Sequence, residues 1–288
     1  MDSVSVFLEI VKNGSISRTA QKLGYSQSNV SHILSGLEED LNVTLLVRGR
    51  QGIRLTTEGE ILLPYFREIA ASQDRLAEKV QEMHGLTAGK IRVAAFPSVY
   101  SHWMPRILKA FSESYPLIEF ELLSGSYPTI ENFVQSGEAD CGFVHLPTRS
   151  PMQTYALKKD PFYAILPADH PLAEAESVTL ERLAAEPFIM SDDLDEDEVA
   201  RLFRSRLCTP SVLYTVPDPP TVAAMVGEGL GVSILTDLAS EGITEIVRIP
   251  LSDVQETRKI GLAVSAQPSA AVRIFTEFVR EWVAEKYA

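Results

Sequence analysis

The chain has 288 residues, of which 45% are hydrophobic and 23% are charged, and both fractions lie near the averages of globular proteins. This composition excludes a disordered or collagen-like chain and leaves room for roughly two or three domains. The N-terminus lacks the basic stretch and apolar core of a secretory signal, and no apolar run approaches the ~18 residues that a membrane span needs. We therefore expect a soluble, cytoplasmic protein without a membrane partner.

Charge is distributed unevenly along the chain, whose net charge at pH 7 is −13. Residues 1–57 carry six Lys and Arg against five Asp and Glu, whereas residues 91–288 carry sixteen against twenty-eight. The overall acidity would repel DNA, but the N-terminal block does not share it. Clustered arginines on a dimer of such blocks are sufficient for DNA binding.

Cysteine and histidine are scarce in this sequence. Cys141 and Cys208 form no CxxC pair and cannot build a disulfide scaffold, and there are only five histidines. We therefore expect no metal site and no cofactor. No Ser/His/Asp or Cys/His set can be placed with its partners, so no residue pattern supports an enzyme.

The first residues predict two short helices. Phe7, Ile10 and Val11 form the apolar face of the first helix. Ser15 is suited to cap the second helix, ISRTAQKL, and Gly24 allows a tight turn after it.

A third helix is predicted to begin after Ser26. Its buried face is expected to comprise Val30, Ile33, Leu34, Leu37 and Leu41. The small residue Ala20 lets the second and third helices approach each other, and Gly24 follows four residues later. This spacing is that of a helix-turn-helix, in which the last helix enters the major groove of DNA.

The exposed start of the third helix is polar, and its short side chains can hydrogen-bond base edges or phosphates. The segment LLVRGRQGIRLT then predicts two short strands around Gly49 and Gly52, with three arginines on the hairpin. A basic hairpin beside a reading helix is typical of a wing that contacts the DNA backbone or minor groove. The predicted DNA contacts are Arg18, Ser26, Gln27, Ser28, Asn29, Ser31, His32, Arg48, Arg50 and Arg54. The alternative is a helical bundle whose polar face is simply solvated. The turn, the third helix and the hairpin nevertheless follow one another in the order and with the spacing of a DNA-binding winged helix-turn-helix.

Residues 57–86 predict one long helix. Thr57 and Glu60 form a capping box at its start, and Pro64 predicts a slight kink. Spacings of four and three alternate along one face, which is typical of a coiled-coil seam. The predicted dimerisation residues are Leu62, Phe66, Ile69, Gln73, Leu76, Val80 and Met83. The alternative is a helix that packs on its own domain.

From residue 91 onward, strand and helix patterns alternate, which indicates an α/β fold with parallel sheets and ligands at the strand C-termini. Strands are predicted at IRVAAF, IEFELL, ADCGFVH, FYAILP, FIM, VLYTV, GVSILT and RKIGLAV. Helices are predicted at 102–114, 129–136, 195–207, 219–228 and 269–285. Periodicity leaves open whether these elements form one sheet or two lobes.

The N-terminal block resembles the DNA-binding domain of the LysR-type transcriptional regulators. The matching residues are Phe7-Leu8, Ser15, Ala20, Leu23, Ser26-Gln27, Val30-Ser31, Leu37-Glu38, Leu41, Arg48, Leu55-Thr56 and Gly59. This chain has Ser28, Asn42, Leu46 and Glu58 where the family usually has Pro, Gly, Phe and Ala. The resemblance implies a regulator that binds promoter DNA as a dimer or tetramer, with RNA polymerase as a further partner.

The rest of the chain also resembles this family, whose sensing domains are similar to two-lobed periplasmic binding proteins. The matching stretches are His102-Trp103-Met104-Pro105, Gly137-Glu138-Ala139-Asp140, Leu166-Pro167, His170-Pro171 and residues 226–232. The resemblance implies crossovers between the lobes near 157–162 and 260–268, and a small-molecule effector in the cleft. By position, the effector contacts would be Ser98, Ser126, His145, Ser191 and Thr221. A serine before a helix is as often only a cap, and a lone histidine at a strand end is more often structural.

Together these patterns and the resemblance predict an α+β multidomain protein. A winged helix-turn-helix occupies residues 1–57, a dimerising coiled-coil linker helix 58–86, a hinge 87–90 and a two-lobed α/β effector domain 91–288. Lobe I is expected to comprise about 91–159 and 266–288, and lobe II about 160–265. Gly85 and Gly89 mark the hinge.

The acidic run SDDLDEDE at 191–198 imitates a calcium-binding loop, but it lacks the required glycine and final glutamate. If this run lies near the cleft, it disfavours a highly anionic effector.

Two other classes of protein remain as alternatives. A redox switch of the same architecture would need a reactive thiol, for which Cys208 before Thr209-Pro210 is the candidate. A solute-binding or enzymatic α/β protein with an incidental N-terminal head would bind a ligand but not DNA.

Overall fold

The computed structural model describes residues 2–49, 52–83, 88–191 and 198–287, with the backbone only at Arg48, Gln81 and Glu82. The chain divides into two compact units. The first runs to Lys90 and includes Ser136–Glu138, and the second comprises Ile91–Gln135 and Ala139–Ala288.

Three short helices open the first unit: α1 (Ser3–Asn13), α2 (Ile16–Leu23) and α3 (Gln27–Leu41). Each start is capped, because the side chains of Asp2, Ser15 and Ser26 accept a bond from the backbone N–H three residues on. The caps predicted at Ser15 and Ser26 are confirmed. Gly24 ends α2 with a φ of 69°, which glycine adopts without strain. The apolar faces of the three helices meet in one core of Val6, Phe7, Ile10, Ile16, Ala20, Val30, Leu34 and Leu37.

Leu41 departs from the predicted buried face of α3. Its side chain is 43% exposed, and it is the last residue of the helix. Asn42 then takes the left-handed conformation with a φ of 52°. Asparagine tolerates this conformation better than most residues, so it can end the helix where the resemblance leads us to expect glycine.

An antiparallel hairpin of β1 (Leu46–Gly49) and β2 (Gly52–Leu55) leads into α4 (Thr57–Met83). The cap of α4 is Thr56 rather than the predicted Thr57, because Thr56 Oγ1 accepts the Gly59 N–H at 2.9 Å. A side chain at Gly59 would clash with the carbonyl oxygen of Leu45. Glycine therefore lets the first turn of α4 pack closely against the segment that precedes the hairpin.

The first turns of α4 belong to the core of the first unit. Phe66 is 6% exposed, and its ring centroid lies 4.7 Å from that of Phe7. Leu62 is half-buried against the same core. The structure corrects the predicted dimerisation seam at these two positions, since both side chains pack within their own chain.

The second unit contains the remaining elements. Its first half comprises β3 (Gly89–Ala95), α5 (Pro97–His102), α6 (Met104–Ser114), β4 (Ile118–Ser124), α7 (Tyr127–Gln135), β5 (Cys141–His145) and β6 (Gln153–Pro167). Its second half comprises α8 (Leu180–Ala184), β7 (Pro187–Ser191), α9 (Glu198–Ser205), β8 (Ser211–Val216), α10 (Pro219–Gly227), β9 (Ser233–Thr236), β10 (Ile246–Pro250), β11 (Thr257–Val264) and α11 (Ala270–Lys286). Of the two predicted hinge glycines, Gly89 is the first residue of β3, and Gly85 lies outside the described residues.

The main sheet is mixed rather than parallel. Its strands lie in the order β10-β6-β11-β5-β3-β4, and β9 also pairs with β6. β3 and β5 are parallel as expected, but β11 runs antiparallel to both β5 and β6. The expectation of purely parallel sheets is therefore wrong. β6 carries the chain from one half of the unit into the other and β11 brings it back, so the two strands must run in opposite directions.

Apolar residues of the second unit form separate cores in two lobes. Lobe I packs β3, β4, β5, α5, α6, α7 and α11 around Trp103, Phe111 and Phe275. Lobe II packs α8, α9 and β7 around Phe188 and Phe203, and packs α10 against β9 and β10 in an adjoining cluster.

The two crossing strands fix where the chain changes lobe. The second half of β6 contributes Phe162 to the core of lobe II. Ile260–Val264 of β11 pair with β5 in lobe I, so the second crossover lies at about residues 257–260. This is earlier than the predicted 260–268, and it differs from the predicted lobe boundary at residue 265.

Several elements differ from the sequence-based expectation. The helix predicted at 102–114 begins at Met104 as α6, and the separate helix α5 before it was not predicted. Pro105 has no N–H to continue α5 and instead lies in the first turn of α6. β10, α8 and the first half of β6 were not predicted. The alternation of apolar and polar residues in β6 is interrupted by Lys158, Lys159 and Asp160. The sequence pattern therefore does not predict a strand there.

None of the helices in the described part of the chain has the length and apolar character required to cross a lipid bilayer.

Replacement of Leu34 by Ala should destabilise the first unit far more than the same replacement at Leu41. Leu34 is 8% exposed, so Leu34→Ala leaves a cavity and should cost about 2–5 kcal/mol of unfolding free energy. Leu41→Ala should cost less than about 1 kcal/mol, because nearly half of that side chain is already in water. Hydrogen exchange of the α1–α3 amides in the full chain measures both losses, and equal losses would contradict the burial pattern.

Candidate functional site

The first turn of α3 presents polar side chains on its surface. Ser26, Gln27, Ser28 and Asn29 are all exposed. Ser26 Oγ accepts the Asn29 N–H at 3.2 Å and lies 3.0 Å from Ser28 Oγ, and Gln27 Oε1 accepts a bond from Ser17 Oγ at 3.2 Å. The turn is therefore held by its own side chains and by α2 while its polar surface faces solvent.

A groove of about 460 Å³ joins α2, α3 and the hairpin. Its lining residues are Asn13, Gly14, Ser15, Ile16, Ser17, Arg18, Gln27, Gly52 and Ile53. The groove brings two of the predicted DNA contacts, Arg18 and Gln27, beside β2. One turn further along α3, His32 is exposed and Ser31 is half-buried.

The hairpin carries the predicted wing arginines. Arg54 is exposed on β2 and pairs with Val47 across the hairpin. Arg48 lies on β1 opposite Ile53, with only its backbone described, and Arg50 lies outside the described residues.

Beyond Phe66, α4 carries an apolar stripe that a single chain leaves exposed. Ile69 is 45% exposed, Leu76 67%, Val80 43% and Met83 79%, and Gln73 is exposed among them. A shallow groove on this face is lined by Tyr65, Glu68, Ile69, Ser72, Gln73 and Leu76. Five of the seven predicted dimerisation residues thus lie on one solvent-facing stripe. Ile61 and Tyr65, each 61% exposed, extend it and were not predicted.

A buried ion pair lies where β6 and β11 cross between the lobes. Arg258 and Asp160 are partners across the two strands, and they are 5% and 0% exposed. Arg258 Nε and Nη2 donate to Asp160 Oδ2 at 2.9 and 2.5 Å. Nη2 also donates to Ser98 Oγ at 3.1 Å, and Nη1 donates to the Tyr127 hydroxyl at 3.1 Å. Burial alone would lower the pKa of Arg258, but the oxygens of Tyr127, Asp160 and Glu198 outweigh it and raise that pKa.

A cavity of about 60 Å³ adjoins this ion pair. Its lining residues are Tyr127, Phe162, Ser191, Glu198, Val199, Pro219, Ile234, Leu235, Thr236, Ala239 and Arg258. Tyr127 comes from lobe I, Arg258 from a crossing strand, and the others from lobe II or the second half of β6. The cavity therefore lies in the cleft between the lobes.

His145 reaches toward the other lobe at this cleft. Its ring stacks on Tyr127 with centroids 5.6 Å apart, and its Nε2 lies 3.4 Å from Glu198 Oε1. Because Glu198 begins α9 in lobe II, the contact joins the two lobes directly when the imidazole is protonated.

The structure brings three of the five predicted effector residues together. Ser98 contacts Arg258, His145 contacts Tyr127 and Glu198, and Ser191 lines the cavity. Ser191 Oγ is buried, and it has no hydrogen-bond partner among the described residues.

The other two predicted effector residues have local partners. Ser126 Oγ lies 2.9 Å from Thr129 Oγ1, and the Thr221 N–H donates to the cap Asp218 at 2.8 Å. Neither is among the described residues that line the cavity.

Sequence reasoning missed the charged centre of this cleft. Arg258, Asp160 and Glu198 were not predicted as site residues, although each one carries a signal. Arg258 and Asp160 are charged residues at the points where two strands pass between lobes, where a charge needs a buried partner. Glu198 ends the acidic run that imitates a calcium-binding loop, and residues 192–197 of that run lie outside the described residues.

The cysteines do not support the redox alternative. Complete burial raises the pKa of the Cys141 thiol well above its ordinary value. Burial, together with the nearby Asp253 carboxylate, also raises the pKa of Cys208. A reactive thiol needs a lowered pKa, so neither cysteine is in the environment of a redox sensor.

Within residues 2–49, 52–83, 88–191 and 198–287, no three His, Cys, Asp or Glu side chains are grouped so that they could hold a metal ion.

Replacement of Asp160 by Asn should strongly destabilise the second unit. The change leaves the Arg258 guanidinium buried without its counter-charge, and the unfolding free energy should fall by about 3–5 kcal/mol. Glu277→Gln, which breaks the exposed pair with Arg280, is the matched control and should cost less than about 1 kcal/mol. Denaturant unfolding followed by the fluorescence of Trp103 and Trp282 reports on this unit, and similar losses in the two variants would refute the role of the pair.

Comparison with known proteins assigns both units. Residues 1–60 match the family model for the bacterial regulatory helix-turn-helix protein, lysR family, and residues 84–284 match that for the LysR substrate binding domain. The chain is 31% identical over 283 residues to the uncharacterized HTH-type transcriptional regulator YvbU of Bacillus subtilis, covering 96% of this chain and 97% of that protein.

Solved structures share the fold over nearly the full length. A full-length OxyR variant from Pseudomonas aeruginosa is similar with a TM-score of 0.74 at 21% identity, covering 96% of each chain. CbnR in complex with its target DNA is similar with a TM-score of 0.68 at 21% identity, covering 97% of this chain and 98% of that one. The N-terminal unit is thus a DNA-binding helix-turn-helix and the C-terminal unit a LysR substrate-binding domain. The chain belongs to the LysR family, whose members are transcriptional regulators rather than enzymes.

Proposed function

We propose that this regulator binds promoter DNA as a dimer or tetramer and changes transcription when a small-molecule effector occupies the cleft between its lobes. The observation that carries the proposal is the exposed polar first turn of α3 within a helix-turn-helix of the LysR family. A helix of this motif reads base edges with the residues of its first turns.

The predicted DNA contacts divide into two classes by chemistry. Gln27, Asn29 and His32 can exchange hydrogen bonds with base edges, and amide side chains suit adenine in particular. The cationic residues position the protein on phosphates. We propose Arg18, Arg48, Arg50 and Arg54 for this role, with the hydroxyls of Ser26, Ser28 and Ser31 completing the contact surface.

The exposed stripe of α4 supports the dimer. Ile69, Leu76, Val80 and Met83 offer apolar area that a second copy of the helix can cover, and Gln73 among them would fix the register of the pair. A dimer held together by the α4 helices carries two helix-turn-helix domains, which can bind two DNA half-sites at once. Binding of the first domain raises the effective concentration of the second near its half-site, and this raises the overall affinity for DNA.

The cleft supports the effector site. Ser98, His145 and Ser191 surround the Arg258–Asp160 pair, and the cavity there is lined from both lobes. A ligand that bridges the lobes stabilises one arrangement of them over another, because it binds that arrangement more tightly. We propose that this change alters the packing of subunits on promoter DNA and thereby their contact with RNA polymerase.

DNA binding is tested by gel retardation of a fragment that carries the chain's own promoter. Asn29→Ala should lower the discrimination between operator and competitor DNA by about 1–3 kcal/mol, because a base contact is lost. Arg54→Ala should weaken binding to both DNAs alike and reduce the slope of log affinity against log salt by about one. Lys109→Ala, which removes an exposed cation from the second unit, should change neither. Absence of retardation on this fragment and in a selection from genomic DNA would refute the proposal.

Dimerisation is tested by a charge on the α4 stripe. Leu76→Asp should shift the protein toward the monomer in sedimentation velocity and weaken promoter binding by at least about tenfold, because the buried carboxylate would cost several kcal/mol. Ala77→Asp places the same charge on the adjacent exposed position, at the side of the stripe rather than within it, and should shift the oligomer much less than Leu76→Asp. If both variants sediment like the parent protein, α4 does not form the interface.

A further inference from the structure

The cleft cavity limits the size of its ligand. Its volume is about 60 Å³. A single water needs about 10–15 Å³ in the same measure, so the cavity has room for about four to six waters. A ligand of this size has few non-hydrogen atoms, in the range of a small metabolite.

Arg258 and Ser191, which both line the cavity, each have a hydrogen-bond donor without a partner among the described residues. A guanidinium has five N–H groups, and four of those on Arg258 are used by Asp160, Ser98 and Tyr127. The fifth, on Nη1, has no partner among the described residues. The buried Ser191 hydroxyl likewise has no partner in the described part of the chain. These two donors fit the two oxygens of a carboxylate.

The charge balance of the cavity opposes a purely anionic ligand. Among its described lining residues, Arg258 is the only cation and Glu198 the only anion. Asp160, bonded to Arg258, neutralises the guanidinium. Asp160 also lies 3.4 Å from Lys158, which in turn is bonded to Asp237, the partner of Arg248. Together with Glu198 this cluster carries three positive and three negative charges, so a ligand that carries only carboxylates would add an unbalanced negative charge in a site of low dielectric constant.

Glu198 provides the complementary group. Its carboxylate is 14% exposed, lines the cavity and lies 3.4 Å from His145 Nε2. A carboxylate oxygen accepts more than one bond, so Glu198 can contact His145 and a ligand ammonium at once. The remaining wall is mainly apolar: Phe162, Val199, Ile234, Leu235 and Ala239.

We infer that the effector is a small zwitterion of the α-amino-acid type. Its carboxylate accepts from Arg258 Nη1 and Ser191, its ammonium pairs with Glu198, and its side chain lies on the apolar wall. This inference rests on the proposed function, because it names the chemical class of the ligand in the proposed cleft. A dicarboxylate without an ammonium group would place a second negative charge against Glu198. An amine without a carboxylate would leave the donors of Arg258 and Ser191 without an acceptor.

The test begins with the purified full-length protein and each common L-α-amino acid separately, at about 10 mM, in a thermal shift assay. Fluorescence of Trp103 and Trp282 reports on the second unit, which contains both tryptophans. The best amino acid is then compared by calorimetry with its deaminated acid and its decarboxylated amine. Each analogue lacks one charged partner, so the amino acid should bind at least about tenfold tighter than either.

Two variants separate ligand binding from stability. Ser191→Ala should weaken the amino acid and the deaminated acid by a similar factor of at least about threefold, because both lose a hydrogen bond. It should not lower the melting temperature without ligand, since no described residue bonds to this buried hydroxyl. Glu198→Gln should remove the advantage of the amino acid over its deaminated acid. Glu181→Gln, an exposed charge removal on α8 of the same lobe, is the matched control and should bind like the parent protein.

Three results would overturn the inference: no amino acid stabilises the second unit, the deaminated acid or a dicarboxylate binds as tightly, or Glu198→Gln keeps the amino-acid advantage. Promoter retardation on the same samples separates this failure from that of the proposed function. Protein that binds promoter DNA but shows one of these results refutes only the ligand class, whereas protein that binds no DNA refutes the proposed function.

Discussion

The second unit depends on a guanidinium and a carboxylate that are buried together where the chain passes between its lobes. Asp160 lies on the outgoing strand β6 and Arg258 faces it on the returning strand β11. Neither charge could be buried alone, because desolvation of an unpaired ion costs several kcal/mol. The pair therefore ties the two crossovers to one register. Through Ser98 and Tyr127 it also bonds to lobe I, and it lies beside a cavity that is lined mainly by lobe II. Any rearrangement of the lobes has to keep these bonds or replace them.

The first unit depends on local interactions instead. Each of its three short helices starts at a side-chain cap, and Gly24 and Asn42 supply left-handed ends. These features act over three or four residues, so they can be read directly from the sequence, whereas the stability of such short helices comes from their common core. The result is a small scaffold that presents the first turn of α3 to solvent while the apolar residues behind it pack together.

The apolar stripe of the long helix α4 has two parts with different surroundings. Phe66 completes the core of the first unit, whereas Ile69, Leu76 and Met83 remain exposed in one chain. Both sets satisfy the same spacing of three and four residues. A heptad pattern indicates that one face of a helix is buried, but it does not indicate whether that face packs against the same chain or against a second copy.

The sequence by itself determined the helix-turn-helix, the hairpin and the caps at Ser15 and Ser26, because these follow from periodicity and from bonds between near neighbours. The resemblance to the LysR family, together with their positions at strand ends and helix starts, also pointed to Ser98, His145 and Ser191 as cleft residues. Only the tertiary structure decided that the sheet is mixed, that Phe66 is core, and that Arg258, Asp160 and Glu198 form the charged centre of the cleft. The physical reason is distance along the chain. Arg258 and Asp160 are 98 residues apart in sequence, and no local pattern states which distant charge will share a buried site.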